Sequence, residues 1–192
     1  LAHNYWELGD VLQAEGRWPE AVNVFRQCLA RYEKLAAADV TQSYYAIMVA
    51  HNYGAFGNAL QEAGQREEAE KALRQAIDLF EQAANASPIL FAEHRYGMEQ
   101  ARNHLIELLR SAGRTKEAEE VSRQAIEYWQ KLIAAHPKIT LYRQALGQLY
   151  AELGQWDQAA AEYTKVIELK PDDADCGNRR GAAYSKLGQW DK

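Results

Sequence analysis

Apolar side chains recur along the chain at spacings of three and four residues, in stretches separated by short polar turns that carry glycine. Tyr5, Leu8 and Leu12 form one such row and Tyr53, Phe56 and Leu60 another, each marking one face of an amphipathic helix. Gly16 and Gly64 follow these rows at the position where a helix C-cap favours glycine. Beyond the glycine the pattern restarts, as Ala69, Leu73, Ala76 and Leu79 in one copy and as Ala159, Tyr163, Val166 and Leu169 in another. The unit is a helical hairpin. The spacing predicts helices over residues 1–15 and 18–37, 41–63 and 66–86, 89–112 and 115–135, 139–153 and 156–169, with a last helix over 174–187.

The hairpin repeats. Ala2-His3-Asn4-Tyr5 returns as Ala50-His51-Asn52-Tyr53, and Gly9, Leu12, Gln13 and Gly16 return as Gly57, Leu60, Gln61 and Gly64, all at an offset of 48. A glycine followed five residues later by alanine occurs as Gly16 to Ala21, Gly64 to Ala69, Gly113 to Ala118 and Gly154 to Ala159. Gly188-Gln189-Trp190-Asp191-Lys192 ends one residue short of a fifth copy. The marker alanines stand 48, 49 and 41 residues apart. Pro88 and Pro137 each lie 19 residues beyond their marker, whereas Pro171 lies 12 beyond Ala159, so the second helix of the longer repeats has gained seven residues. Two added turns keep the same face inward. Pro88 to Ile106 spans 18 residues against 10 for Pro137 to Gly147, which extends the first helix of repeat three at its start.

These residues resemble the tetratricopeptide repeat. Its pattern is met best by Leu146-Gly147-Gln148-Leu149-Tyr150, Ala159, Tyr163 and Pro171. Repeat three departs most, with Ile106 where the first helix usually carries glycine and Ser122 where the second carries a large residue, which predicts looser packing there. The resemblance implies an all-α fold, a right-handed α-solenoid of antiparallel hairpins, in repeats of about 1–40, 41–87, 88–137, 138–171 and an incomplete 172–192. Lengthened repeats of this kind are similar to those of kinesin light chains and of arrays attached to bacterial serine/threonine kinases. The chain is expected to be a single array cut from a longer protein. Tyr184 and Leu187, on the last helix, would then lie on a face meant to be covered.

Stacked hairpins make a concave face mainly from their first helices. The resemblance puts His3, Trp6, Asp10 and Gln13 of repeat one on it, then His51, Gly54, Asn58 and Gln61 of repeat two, and Gln100, Asn103, Glu107 and Arg110 of repeat three. Repeat four offers Leu141, Gln144 and Gln148. Amides and carboxylates at one-turn intervals suit a peptide backbone or side chain, and Trp6 is a candidate aromatic anchor. The family's Lys, Asn and Arg clamp for C-terminal carboxylates is disfavoured, because Trp6 and Asp10 stand where it wants Lys and Asn.

Charge sharpens that expectation. The 192 residues carry 22 Lys plus Arg against 27 Asp plus Glu, a net charge of -5 that makes nucleic acid a poor partner. All of this excess lies in residues 1–137, which favours a neutral or basic ligand segment. The 33 alanines, 12 Gly and 4 Pro fit a packed helical protein. The two cysteines, Cys28 and Cys176, suggest no disulfide framework or metal site, and Cys28 falls at a core position.

Other features read as structure. His3 and His51 occupy equivalent positions, and a metal or pH-dependent contact between them is conceivable. With no third ligand in register at His94, His104 or His136, repeat ancestry explains the pair more simply. Trp18, Trp156 and Trp190 recur three residues before the marker alanine, where a ring packs the hairpin turn. Glu67, Glu68 and Glu70, like Glu117, Glu119 and Glu120, sit in first turns, where negative charge suits the helix dipole. No nucleophile–base pair, phosphate loop or metal motif appears, so catalysis is not expected.

The reading is a non-catalytic scaffold that binds a protein or peptide segment in its groove, without cofactor, metal, nucleic acid or membrane. The alternatives are self-association through open solenoid ends and regulation of an enzyme domain, such as a kinase, in the same polypeptide. A cytoplasmic location is expected unless a cleaved signal segment lay outside the chain.

Overall fold

The computed structural model describes residues 2–38 and 43–188, and Trp190 lies outside them. Among the described residues are nine α-helices and no strand: α1 (Ala2–Ala14), α2 (Trp18–Ala38), α3 (Ser43–Glu62), α4 (Arg66–Ala86), α5 (Pro88–Ser111), α6 (Thr115–Ala135), α7 (Thr140–Glu152), α8 (Trp156–Leu169) and α9 (Ala174–Lys186). Each boundary lies within two residues of the one the hydrophobic spacing predicts, except that the predicted starts at 1 and 41 lie outside the described residues. The chain divides into two compact units, residues 1–122 and 123–192. The first holds α1 to α5 and the opening turns of α6; the second holds the rest of α6 with α7 to α9. The architecture is the all-α hairpin repeat of the solenoid class.

Each hairpin turn is made by one glycine. Gly16, Gly64, Gly113 and Gly154 take φ of 71°, 80°, 76° and 72°, a left-handed conformation that costs other residues about 1–2 kcal/mol. Around Gly64 its own N–H bonds Gln61 O at 3.0 Å and the next N–H, of Gln65, bonds Leu60 O at 2.8 Å, and the other three turns repeat this pair. The paired bonds satisfy carbonyls that the helix end would orphan, and they fix the reversal of direction.

The long period comes from helix length. α2, α4 and α6 have 21 residues and α8 has 14, so the predicted seven-residue gain is present; α5 has 24 residues against 13 in α7. Within a hairpin, a glycine of the first helix receives a large side chain sixteen residues on. A Cβ at Gly57 would lie 2.7 Å from Leu73 Cγ, and one at Gly147 would lie 2.8 Å from Tyr163 Cε1. Repeat three inverts the pair. Ile106 occupies the glycine position and Ser122 the large one, and both are buried, at 7% and 5% exposure. The larger side chain is on the first helix here and on the second in the other two pairs.

The core of unit one gathers Leu12, Phe25, Leu60, Leu73, Leu105 and Leu109, with a neighbouring cluster around Cys28, Leu29, Tyr32 and Val49. In unit two the fully buried Trp129, Tyr142 and Tyr163 dominate, with Trp129 and Tyr142 at 6.0 Å between ring centroids. Trp18 and Trp156 open α2 and α8, half-buried. Cys28 and Cys176 are buried, and burial pushes both thiols up to about 11, which leaves them protonated and inert at neutral pH. The turn between α5 and α6 is tied to α4 by Arg114, which meets Glu70 at 2.5 Å and Glu117 at 2.6 Å.

Candidate functional site

The first helices of three successive repeats, α1, α3 and α5, line a cleft of about 240 Å³ in unit one. Trp6, Asp10 and Gln13 enter it from α1 at intervals of one turn, and His51, Gly54 and Asn58 enter from α3 in the same rhythm. Gly97, Gln100 and His104 come from α5. Small residues let the helices close up beneath the cleft: a Cβ at Gly54 would rest 3.8 Å from that of Ala101. At Gly97 an added Cβ would lie 2.3 Å from His51 Cε1, so glycine is what admits the imidazole ring.

Trp6 is held by its neighbours. Its ring meets Phe25 edge-on at 5.8 Å and His51 at 6.3 Å with an interplanar angle of 89°, and Asp10 lies one turn on along the same helix face. Desolvation raises the Asp10 carboxyl above its usual range, against a smaller lowering effect of the Trp6 side chain. His51 packs edge-on against Phe80 at 5.0 Å, and its Nε2 lies 3.2 Å from His94 Nδ1. Burial first, and the neighbouring His94 second, pull His51 down to about 4, which makes it neutral at pH 7. His104 is also lowered by burial, against the opposing charges of Glu107 and Glu62. Among the described residues no Lys or Arg lines the cleft, so Asp10 carries its formal charge.

The polar groups of the cleft divide into used and available. The Gln13 amide donates from Nε2 to Ala55 O at 3.2 Å, which leaves its carbonyl oxygen as an acceptor. Asn58 and Gln100 line the cleft and make no side-chain hydrogen bond to another described residue. They offer both a donor and an acceptor to an incoming chain.

Of the residues expected on this face, the cleft brings together Trp6, Asp10, Gln13, His51, Gly54, Asn58 and Gln100. The others lie outside its lining. His3 is exposed and 3.2 Å from Glu7. Gln61 is half-buried, with its Oε1 enclosed and unbonded. Asn103 is half-buried, Arg110 is exposed, and Glu107 stands 3.9 Å from His104 Nδ1. In unit two, Gln144 Nε2 bonds Asp173 Oδ2 at 2.9 Å and Cys176 Sγ at 3.3 Å, while Gln148 bonds Glu152 and Arg179. Sequence reasoning missed His104, Gly97 and the contact between His51 and His94. The signal for His94 was the lengthened start of α5, which adds turns beside α3 that a repeat of ordinary length lacks. Among the described residues no group of three or more His, Cys, Asp or Glu is placed to hold a metal ion, and no helix is long and apolar enough to cross a membrane.

Hairpins with glycine-made turns, and a polar cleft formed by their first helices, define a helical-repeat module. The chain belongs to the tetratricopeptide repeat family, whose model matches residues 1–82 and 97–172. No curated protein matches the chain significantly. Among solved structures it is similar to BtubC (BKLC) from P. vanneervenii, at 18% identity and a TM-score of 0.54, with 99% of this chain and 74% of that one covered. It is also similar to a putative kinesin light chain from P. anserina with TPR-like repeats, at 19% identity and a TM-score of 0.53, with 97% and 87% covered. At such identities the likeness is one of fold. Tetratricopeptide repeats typically serve as non-catalytic scaffolds for protein interaction.

Proposed function

We propose that this chain is a non-catalytic scaffold that binds an extended segment of a partner protein in the cleft of unit one. The observation that carries the reading is the cleft itself: three helices contribute an anchored indole, a carboxylate and the amides of Asn58 and Gln100, which make no side-chain hydrogen bond to another described residue. An extended backbone presents alternating donors and acceptors to such a row, and a half-buried Trp6 gives it an aromatic contact at low cost in entropy. At about 240 Å³ the cleft falls below the roughly 300–1,000 Å³ usual for small-molecule sites, which suits a side chain of a longer ligand.

The test is selection of peptides on this chain from a random displayed library, followed by calorimetric titration of the selected peptide. The double variant Trp6→Ala/Asn58→Ala should weaken binding by tenfold or more while helicity and melting temperature stay nearly unchanged. Equal binding by the variant and the parent would remove the cleft from consideration. Loss of fold would show these residues to be structural.

A further inference from the structure

We propose that the cleft of unit one selects a cationic side chain, a lysine or arginine of the bound segment, with Asp10 as its counter-ion and the Trp6 ring as its wall. The inference rests on the scaffold reading above and names the chemistry of its ligand. Two features support it. Asp10 has no cationic partner among the described residues, although most acidic side chains given an ion pair in this protein sit beside an arginine. A carboxylate in that position is stabilised by any cation that enters. Trp6 and Asp10 stand one turn apart on α1 and both line the cleft, so ring and carboxylate face an incoming side chain together. A guanidinium or ammonium against an aromatic face gains cation–π attraction as well as charge pairing.

The remaining lining fits the same ligand. The carbonyl oxygens of Gln13, Asn58 and Gln100 are acceptors for the N–H groups that a guanidinium or ammonium carries in excess. His51 is neutral at pH 7 and offers no competing positive charge. A carboxylate ligand would meet the charge of Asp10 with no Lys or Arg in the lining to compensate. A divalent ion is poorly served by one carboxylate and amides, in keeping with the absence of a three-ligand cluster among the described residues.

The probe is a positional-scanning library of N-acetylated, C-amidated hexapeptides in which each position in turn is fixed as Arg, Lys, Glu or Leu. Binding is read by the fluorescence of the labelled peptides on the parent chain, Asp10→Asn, Asp10→Glu and Trp6→Ala. The expected result is a preference for Arg or Lys at one position, lost about five- to tenfold in Asp10→Asn, kept in Asp10→Glu, and weakened toward about 1 M salt. Thermal melting by circular dichroism checks that Asp10→Asn, an isosteric change at an exposed helical position, is folded. Binding that depends on Trp6 but shows no basic preference, or one indifferent to Asp10→Asn, overturns the cation inference and leaves the scaffold reading standing. Binding indifferent to Trp6→Ala, or no binding by any peptide, overturns both.

Discussion

Equivalent faces of the two units have been put to different use. In unit one the first-helix face is a cleft whose carboxylate and amides are largely unspent. In unit two the corresponding glutamines are consumed internally: Gln144 ties α7 to Asp173 and Cys176 of the following repeat, and Gln148 meets Glu152 and Arg179. Asp173 in turn caps α9 by accepting from Cys176 N–H at 2.9 Å, so Gln144 belongs to a helix-capping arrangement. Repeat position tells which side chains share a face, while the neighbours of each side chain decide whether it remains available. A polar group that already has its partner contributes stability, and one that lacks a partner is ready for a ligand.

The comparison can be broken or sharpened by substitution, beginning with the largest effect. Leu146→Ala empties a position only 2% exposed in unit two and should destabilise by about 2–5 kcal/mol in chemical denaturation, with the peptide affinity of unit one unchanged. A parallel loss of affinity would show that the units are not independent in function.

Acidification should act on unit one. His51 titrates at about 4 when folded and at roughly 6.5 when unfolded, so between those values the unfolded chain holds the extra proton. Stability is therefore full above about pH 6.5 and falls as the pH drops towards 4, by at most about 3 kcal/mol. Melting temperatures of the parent and His51→Gln over that range check the sign: the variant should show the shallower slope.

Gly97→Ala places a methyl group against His51 and Phe80 and should cost about 1–3 kcal/mol by overpacking, together with altered fluorescence of the neighbouring Trp6. Gly177→Ala, with open space around its Cβ, is the matched control in unit two and should be neutral or slightly stabilising. At the small end, Gln144→Ala removes hydrogen bonds to Asp173 and Cys176 and should cost about 1 kcal/mol in thermal melting, without effect on peptide binding.

The fold was readable from the chain because its determinants are local and periodic. The glycine-to-alanine interval located the four turns within hairpins, and the shift of Pro88 and Pro137 relative to Pro171 measured the added helical turns that α4 and α6 display. The expectation of looser packing in repeat three rests on Ile106 and Ser122. Both are buried, so exposure at these two positions does not distinguish repeat three from its neighbours. Cleft residues at fixed repeat positions, such as Trp6, Asp10 and Asn58, were readable for the same reason as the turns. His94 and His104 were not, since their approach depends on how far the lengthened α5 reaches along α3. The engagement of Gln144 was hidden as well: its partners lie 29 and 32 residues away, and no spacing rule predicts which amide a capping aspartate will recruit.

The most direct test is a ¹H–¹⁵N NMR titration of the chain with a library-selected peptide, following the Trp6 indole and the side-chain amides of Gln13, Asn58, Gln100, Gln144 and Gln148. The account predicts saturable shifts at Trp6, Gln13, Asn58 and Gln100, with Gln144 and Gln148 unmoved. Shifts confined to Gln144 and Gln148 would contradict it and transfer the binding face to unit two.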